Sequence, residues 1–169
     1  LDEIAALLEP LIPGLRRHAW ALLRDDEAAD DLVQDTLERA IGRWHSRRRD
    51  GGLKAWLYAI QHNLFLDRLR RQRRQGAQIG AEALMDVPSP DASPDEHARM
   101  RDILAALDAL PEEQRSVMLL VSVEDLSYEE AAQALAIPVG TVMSRLSRAR
   151  EKMRQYLETG RPAALRRVK

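Results

Sequence analysis

The sequence predicts an all-α protein of two small helical domains joined by a flexible linker, the second domain carrying a helix-turn-helix. Apolar residues recur at the 3.6-residue helical period through both ends of the chain. Helix-starting signals accompany them, among them the capping boxes Ser93-x-x-Glu96 and Ser127-x-x-Glu130. Between the periodic regions, Gly76 to Ala92 has glycine, proline and serine and no period, which marks a linker.

Composition bounds the class. A chain of 169 residues with 45% hydrophobic and 31% charged residues is expected to be soluble and globular, as one domain or two small ones. The absence of cysteine excludes a disulfide framework and a thiolate metal site, and fits a reducing, cytoplasmic setting. The longest apolar stretch, Val117 to Val123, falls far short of the roughly 18 residues a membrane span needs, so no membrane insertion is expected. No signal peptide is recognisable. The net charge of -1 conceals blocks. Acids crowd Asp25 to Glu38; from Arg39 to Gln75 eleven Lys or Arg stand against Asp50 and Asp67; acids return from Glu82 to Glu113, and bases dominate from Met143 onward. Two basic zones separated by acidic ones suggest two nucleic-acid contacts, with acidic faces free for a protein partner.

Residues 1 to 24 carry Ile4, Leu7, Leu8, Leu11, Ile12, Leu15, Trp20, Leu22 and Leu23, interrupted by Pro10 and Pro13-Gly14, which predicts a short helix, a break and a second helix. Asp25 or Asp26 caps the next, from about Glu27 to Trp44, which buries Leu32, Val33, Leu37, Ala40, Ile41 and Trp44. Its other face is Asp31, Gln34, Asp35 and Glu38, on spacing alone a solvated surface. The basic loop His45 to Gly52 has two glycines to bend it. A long helix from Leu53 is expected to bury Leu53, Trp56, Leu57, Ile60 and Leu64 and to show Lys54, Tyr58, Gln61, Asn63, Arg68, Arg70 and Arg71. Aromatic, amide and guanidinium groups on one surface suit single-stranded nucleic acid, where stacking is worth roughly 1–3 kcal/mol per base.

Beyond the linker, the box at Ser93 starts a helix with Ile103, Leu104, Leu107 and Leu110 inside, and Pro111 starts another, buried through Val117, Leu120 and Val121. The last stretch, Leu126 to Lys152, reads as two helices and a tight corner. The first opens at Tyr128 and closes around Ala136-Ile137-Pro138, since Pro138 disfavours helical geometry in the residue before it. In the second, Val142, Leu146, Ala149 and Met153 form one apolar stripe. Steps of 100° then put Ser144, Ser147, Arg148 and Glu151 on the opposite side, Thr141 and Lys152 beside them, and Arg145 and Arg150 nearer the buried edge. Short hydroxyls with a long guanidinium suit the major groove.

No catalytic chemistry is legible. His18, His45, His62 and His97 lack metal-ligand spacing, and no Gly-rich phosphate loop or nucleophile elbow occurs, so no enzyme, cofactor or metal is expected. The residues leave two readings. One is a factor that meets duplex and single-stranded nucleic acid on separate surfaces. The other is a helix-turn-helix repressor or activator whose first half dimerises or senses a ligand, binding an inverted repeat by itself. The run RLRRQRR beside a glycine loop counts against the second, because a dimerisation module has no use for it.

Four segments also carry a family resemblance. DDLVQDTLERA at Asp30 to Ala40, WLYAIQHNLFLDRLRRQRR at Trp56 to Arg74, LPEEQRSVMLL at Leu110 to Leu120 and LSYEEAAQALAIPVGTVMSRLSRAR at Leu126 to Arg150 make the chain similar, in order and spacing, to the extracytoplasmic-function sigma factors. These are small bacterial initiation factors that keep only sigma regions 2 and 4. The resemblance implies region 2 over 1–75, a linker over 76–92 and region 4 over 93–169. It implies that Asp30, Asp31, Gln34 and Asp35 bind the coiled coil of the largest subunit of core RNA polymerase. It implies that the Ser46 to Leu53 loop with Arg47, Arg48 and Arg49, together with Asn63, Arg70 and Arg71, captures the unstacked non-template strand of the -10 promoter element. The last helix would read the -35 duplex, with Ser144, Ser147 and Arg148 on the base side and Thr141, Arg145 and Lys152 toward phosphates or neighbouring side chains. An inhibitory anti-sigma protein is an expected partner. The chain departs from the family pattern at Met143, where Lys or Arg is usual, and at Leu53, where an aromatic is common.

The promoter elements lie roughly 50–70 Å apart, whereas the linker reaches at most about 60 Å extended and averages about 20–25 Å if flexible. Bound to DNA, the linker must be stretched and held so; in the free chain the two domains can fold together. Each, at roughly 60–75 residues, is near the lower size limit for an independent core.

Overall fold

In the computed structural model, which describes residues 2–76 and 91–160, α1 (Asp2–Leu8) passes through a 3-10 turn at Glu9–Leu11 into α2 (Ile12–Leu23). Pro10 and Pro13 each sit in the first turn of their element, where a missing N–H leaves no bond unmade. The Asp25 carboxylate accepts from the Ala28 N–H at 2.7 Å and starts α3 (Asp26–Gly42). After a 3-10 turn at Trp44–Ser46 and the glycine loop comes α4 (Leu53–Arg74). The expected linker lies outside the described residues over 77–90, as does the chain beyond Gly160. The second half holds α5 (Pro94–Asp108), α6 (Glu112–Met118), α7 (Tyr128–Leu135) and α8 (Val139–Thr159). Both capping boxes form as the sequence predicts. Among the described residues there is no strand, and no helix is long and apolar enough to cross a membrane.

Several burial expectations fail, each for a tertiary reason. α3 ends at Gly42; Trp44 is half-buried in the following turn, and Ile41 is 44% exposed because it faces a groove between α2 and α3. Ile103 is 38% exposed, since α5 packs with one face on α8. Tyr58 and Gln61, expected at the surface of α4, are 2% and 0% exposed, while Leu53, Trp56 and Leu64 are only half-buried. The reason is that the second half folds over α4, where a lone amphipathic helix would stay wet: Glu124, and His18 of α2, cover Tyr58, and α2 covers Gln61.

α6 does not continue as one helix. It widens into a π-turn at Leu119–Val123, closed by the Glu124 N–H donating to Leu119 C=O at 3.0 Å, and Asp125 then takes a left-handed φ of 55°. The wider turn shifts the stripe, so Leu119 and Leu120 are buried and Val121 only half-buried. One apolar cluster joins both halves, with Leu15, Leu57 and Phe65 from the first and Leu120, Leu126 and Ala131 from the second.

Candidate nucleic-acid and protein interfaces

The corner between α7 and α8 is built from local chemistry. The Ser127 hydroxyl accepts from the Glu130 N–H at 3.1 Å while the Glu130 carboxylate accepts from the Ser127 N–H at 2.9 Å. Ala136 closes α7 in a left-handed conformation and Pro138, extended, caps α8. Val142, Leu146 and Ala149 are buried and Met153 half-buried, so the stripe fixes the rotation of α8. Ser144, Ser147 and Arg148 are consequently exposed, and Thr141, Arg145 and Lys152 half-exposed beside them. Arg145 is not free to reach outward at will, because its guanidinium lies 3.6 Å from the Glu113 carboxylate of α6. Met143 is 53% exposed and lines a shallow depression with Tyr128, Ser147 and Arg150. Glu151, an acid on the same helix, is held by Arg154 at 2.6 Å, and that hydrogen bond keeps its carboxyl below the usual range. A bridged carboxylate repels an approaching phosphate less than a free one.

On the first half, the loop before α4 is walled by aromatic rings. Trp44 and Trp56 meet edge to face at 6.2 Å, and the half-buried Arg47 guanidinium stacks over them at 5.0 and 5.7 Å. Arg48 and Arg49 are exposed, Arg48 lying 3.4 Å from Asp50. Asn63, Arg70 and Arg71 are exposed along α4, the last two seven and eight residues beyond Asn63 and so on nearly the same face. Arg68, by contrast, is tied down between Ala28 C=O and Asp35.

Asp30, Asp31, Gln34 and Asp35 are all exposed on α3. They do not act as one patch. Asp30 pairs with Arg16 at 2.6 Å and Gln34 donates to Glu38 at 2.9 Å, along the rim of a groove floored by Ile12, Val33, Leu37 and Ile41. Asp35 turns the other way, to Arg68 at 2.8 Å. Sequence reasoning misses this apolar floor, because its only signal, the i, i+4, i+8 series Val33, Leu37, Ile41, equally predicts core.

It misses Glu124 altogether. That carboxylate is 2% exposed and accepts from Arg17 Nε at 2.9 Å, Arg17 Nη2 at 2.7 Å and the Tyr58 hydroxyl at 2.8 Å. Lys54 Nζ donates to its backbone carbonyl. Burial, then the Glu124 charge, pushes the Tyr58 phenol well above its ordinary value. Alongside, His18 is fully enclosed, its Nδ1 accepting from Gln61 Nε2 at 2.8 Å while the same amide donates to Leu15 C=O at 3.0 Å. Burial depresses His18 to about 3 and His62 to about 4, so both rings are neutral.

All-helical architecture with a capped helix-turn-helix and an outward polar face defines a DNA-binding class of fold. The family model described as Sigma-70, region 4 matches residues 100–153, and that described as the Sigma2 domain of PhyR matches residues 8–62. The ECF RNA polymerase sigma factor EcfG of Rhodopseudomonas palustris is 38% identical over 159 residues, covering 92% of this chain and 83% of that protein. The ECF RNA polymerase sigma factor SigE of Mycolicibacterium smegmatis is 38% identical over 145 residues, covering 83% of this chain and 56% of that protein. Among solved structures, the sigma factor RpoE of Bartonella quintana, in complex with the anti-sigma factor NepR, superposes with a TM-score of 0.80 at 33% identity, over 95% of this chain and 100% of that one. The chain belongs to the extracytoplasmic-function family of RNA polymerase sigma factors.

Proposed function

We propose that the chain divides promoter-directed initiation among three of its own surfaces. The acid-rimmed groove of α2 and α3, with Asp30, Asp31 and Gln34 around Val33, Leu37 and Ile41, binds the coiled coil of the largest subunit of core polymerase; Asp35 steadies α3 on α4 through Arg68. The loop with Arg47, Arg48 and Arg49, followed by Asn63, Arg70 and Arg71, captures the single strand of the -10 element. α8 reads the -35 duplex through Ser144, Ser147 and Arg148, with Thr141, Arg145 and Lys152 at its flanks and Met143 available to a thymine methyl. Residues 1–75 and 93–169 serve as the two working units, joined by 76–92. The chain performs no catalysis and needs no cofactor; it acts in the cytoplasm, where its polymerase is.

The observation that carries this reading is the rotation of α8: its apolar stripe is packed inward through Val142, Leu146 and Ala149, and what remains outside is the short-hydroxyl and guanidinium set that base edges accept. The RpoE relative is bound by an anti-sigma factor, and a protein of that kind is the inhibitory partner we infer here.

Run-off transcription with purified core polymerase over a promoter library tests the assignment. Promoter-dependent transcripts are expected, with preference lost at -35 but kept at -10 in Arg148→Ala. Binding of the chain alone, as a symmetric pair on an inverted repeat and with no transcripts, would establish the repressor reading instead.

A further inference from the structure

We propose that Glu124 is an intramolecular latch, by which the chain alone closes its two helical units on one another and holds the loop and helix that Proposed function assigns to DNA too close together to reach separate promoter elements. The part of this inference that concerns DNA rests on that reading; the latch itself rests on geometry. Glu124 belongs to the second unit, and every donor it uses belongs to the first: Arg17 from α2, Tyr58 and Lys54 from α4. The π-turn and the left-handed Asp125 place it there, one residue beyond a helix that has widened for that purpose. Gly14 lets the units come this close: a Cβ there would stand 2.7 Å from the buried Tyr58 hydroxyl and 3.0 Å from Glu124 Oε2, and Gly51 lies against the Gln133 side-chain amide of α7. The loop that would capture a single strand is therefore pressed against the first helix of the helix-turn-helix. Surfaces in contact cannot serve promoter elements roughly 50–70 Å apart.

The chemistry suits a switch better than a clamp. Closing removes a carboxylate from water and returns Arg17, Tyr58 and Lys54 in exchange, so a complete set roughly offsets the desolvation and adds little net hold. An incomplete set makes closure unfavourable, because the carboxylate is then buried with too few donors, while opening hydrates it at once. At the rim Arg24 reaches Asp108 at 3.0 Å and Arg73 lies 3.7 Å from Glu112. Asp108 is exposed and Glu112 half-exposed, so these carboxylates keep much of their water either way and exert less leverage.

The chain has no cysteine, so Glu3→Cys and Asp102→Cys, one exposed site on each unit, accept a donor and an acceptor dye. Single-molecule energy transfer on the full chain alone should show a dominant high-transfer state. Arg17→Ala, which removes both guanidinium donors, should move the closed-to-open ratio at least about tenfold toward low transfer, since each charged hydrogen bond is worth roughly ten- to a hundredfold. Gly14→Ala should act in the same direction from the other side of the contact, and since alanine favours helix over glycine it keeps α2 folded. Arg16→Ala, which breaks an ion pair inside the first unit, should leave the ratio unchanged. Circular dichroism verifies that each variant is folded. A low-transfer wild type, or wild-type histograms from both Arg17→Ala and Gly14→Ala, overturns the latch. Core polymerase is added in a separate arm. If it leaves a latched wild type closed and unbound, Proposed function fails and the latch stands; if it opens the wild type while both variants behave as wild type, the latch alone falls.

Discussion

Arg148 and Arg145 stand three residues apart on α8 yet predict different outcomes. Arg148 is exposed with its apolar neighbours packed behind it, so Arg148→Ala should weaken -35 discrimination by roughly 1–3 kcal/mol, read by competition between matched and mismatched promoters. Arg145 shares its guanidinium with Glu113, so Arg145→Ala should lower affinity about equally on all sequences and leave discrimination intact. His18, enclosed, and His62, half-buried, make a separate prediction. In the unfolded chain both rings protonate as pH falls through about 6.5; folded, His62 resists to about 4 and His18 to about 3. Between those limits the unfolded state binds more protons, so stability present above pH 6.5 is lost as pH falls. Urea titrations at pH 7 and 5.5 should differ by about 2 kcal/mol for the two rings together, and His18→Leu should remove about half of that dependence.

At the scale of the element, helix starts were legible and helix surroundings were not. Ser93 and Ser127 cap where the sequence says they do, and Asp25 takes the cap it leaves open between Asp25 and Asp26, because a side-chain oxygen two or three residues from an orphan N–H is a local fact. Ser127→Ala should accordingly cost about 1 kcal/mol in denaturant unfolding, with a parallel loss of duplex affinity as α7 frays from the corner. The stripe of α8 was equally legible, since Val142, Leu146 and Ala149 recur at the helical period and α5, α6 and α7 all pack on this helix. Tyr58 and Gln61 on α4 were not, because their cover comes from residues distant in sequence. Ile41 erred in the opposite direction. An apolar residue at helical spacing is core only if something lies over it, and here the groove is open. The π-turn leaves no trace in the apolar periodicity.

For the molecule as a whole, the shared apolar cluster makes the two small units interdependent. Calorimetry of the free chain should show one cooperative transition, splitting into two in Arg17→Ala, since each unit is near the size at which a core barely sustains itself. Composition and periodicity determined the all-helical class, the two units, the capped corner and the outward face of α8, because these depend on residues within a few turns of one another. Only tertiary structure decided that the units close together, that an apolar groove lies beside the acids of α3, and that Glu124 is buried. A carboxylate takes its role from whatever donors reach it, and the Arg17 that reaches Glu124 is 107 residues away along the chain.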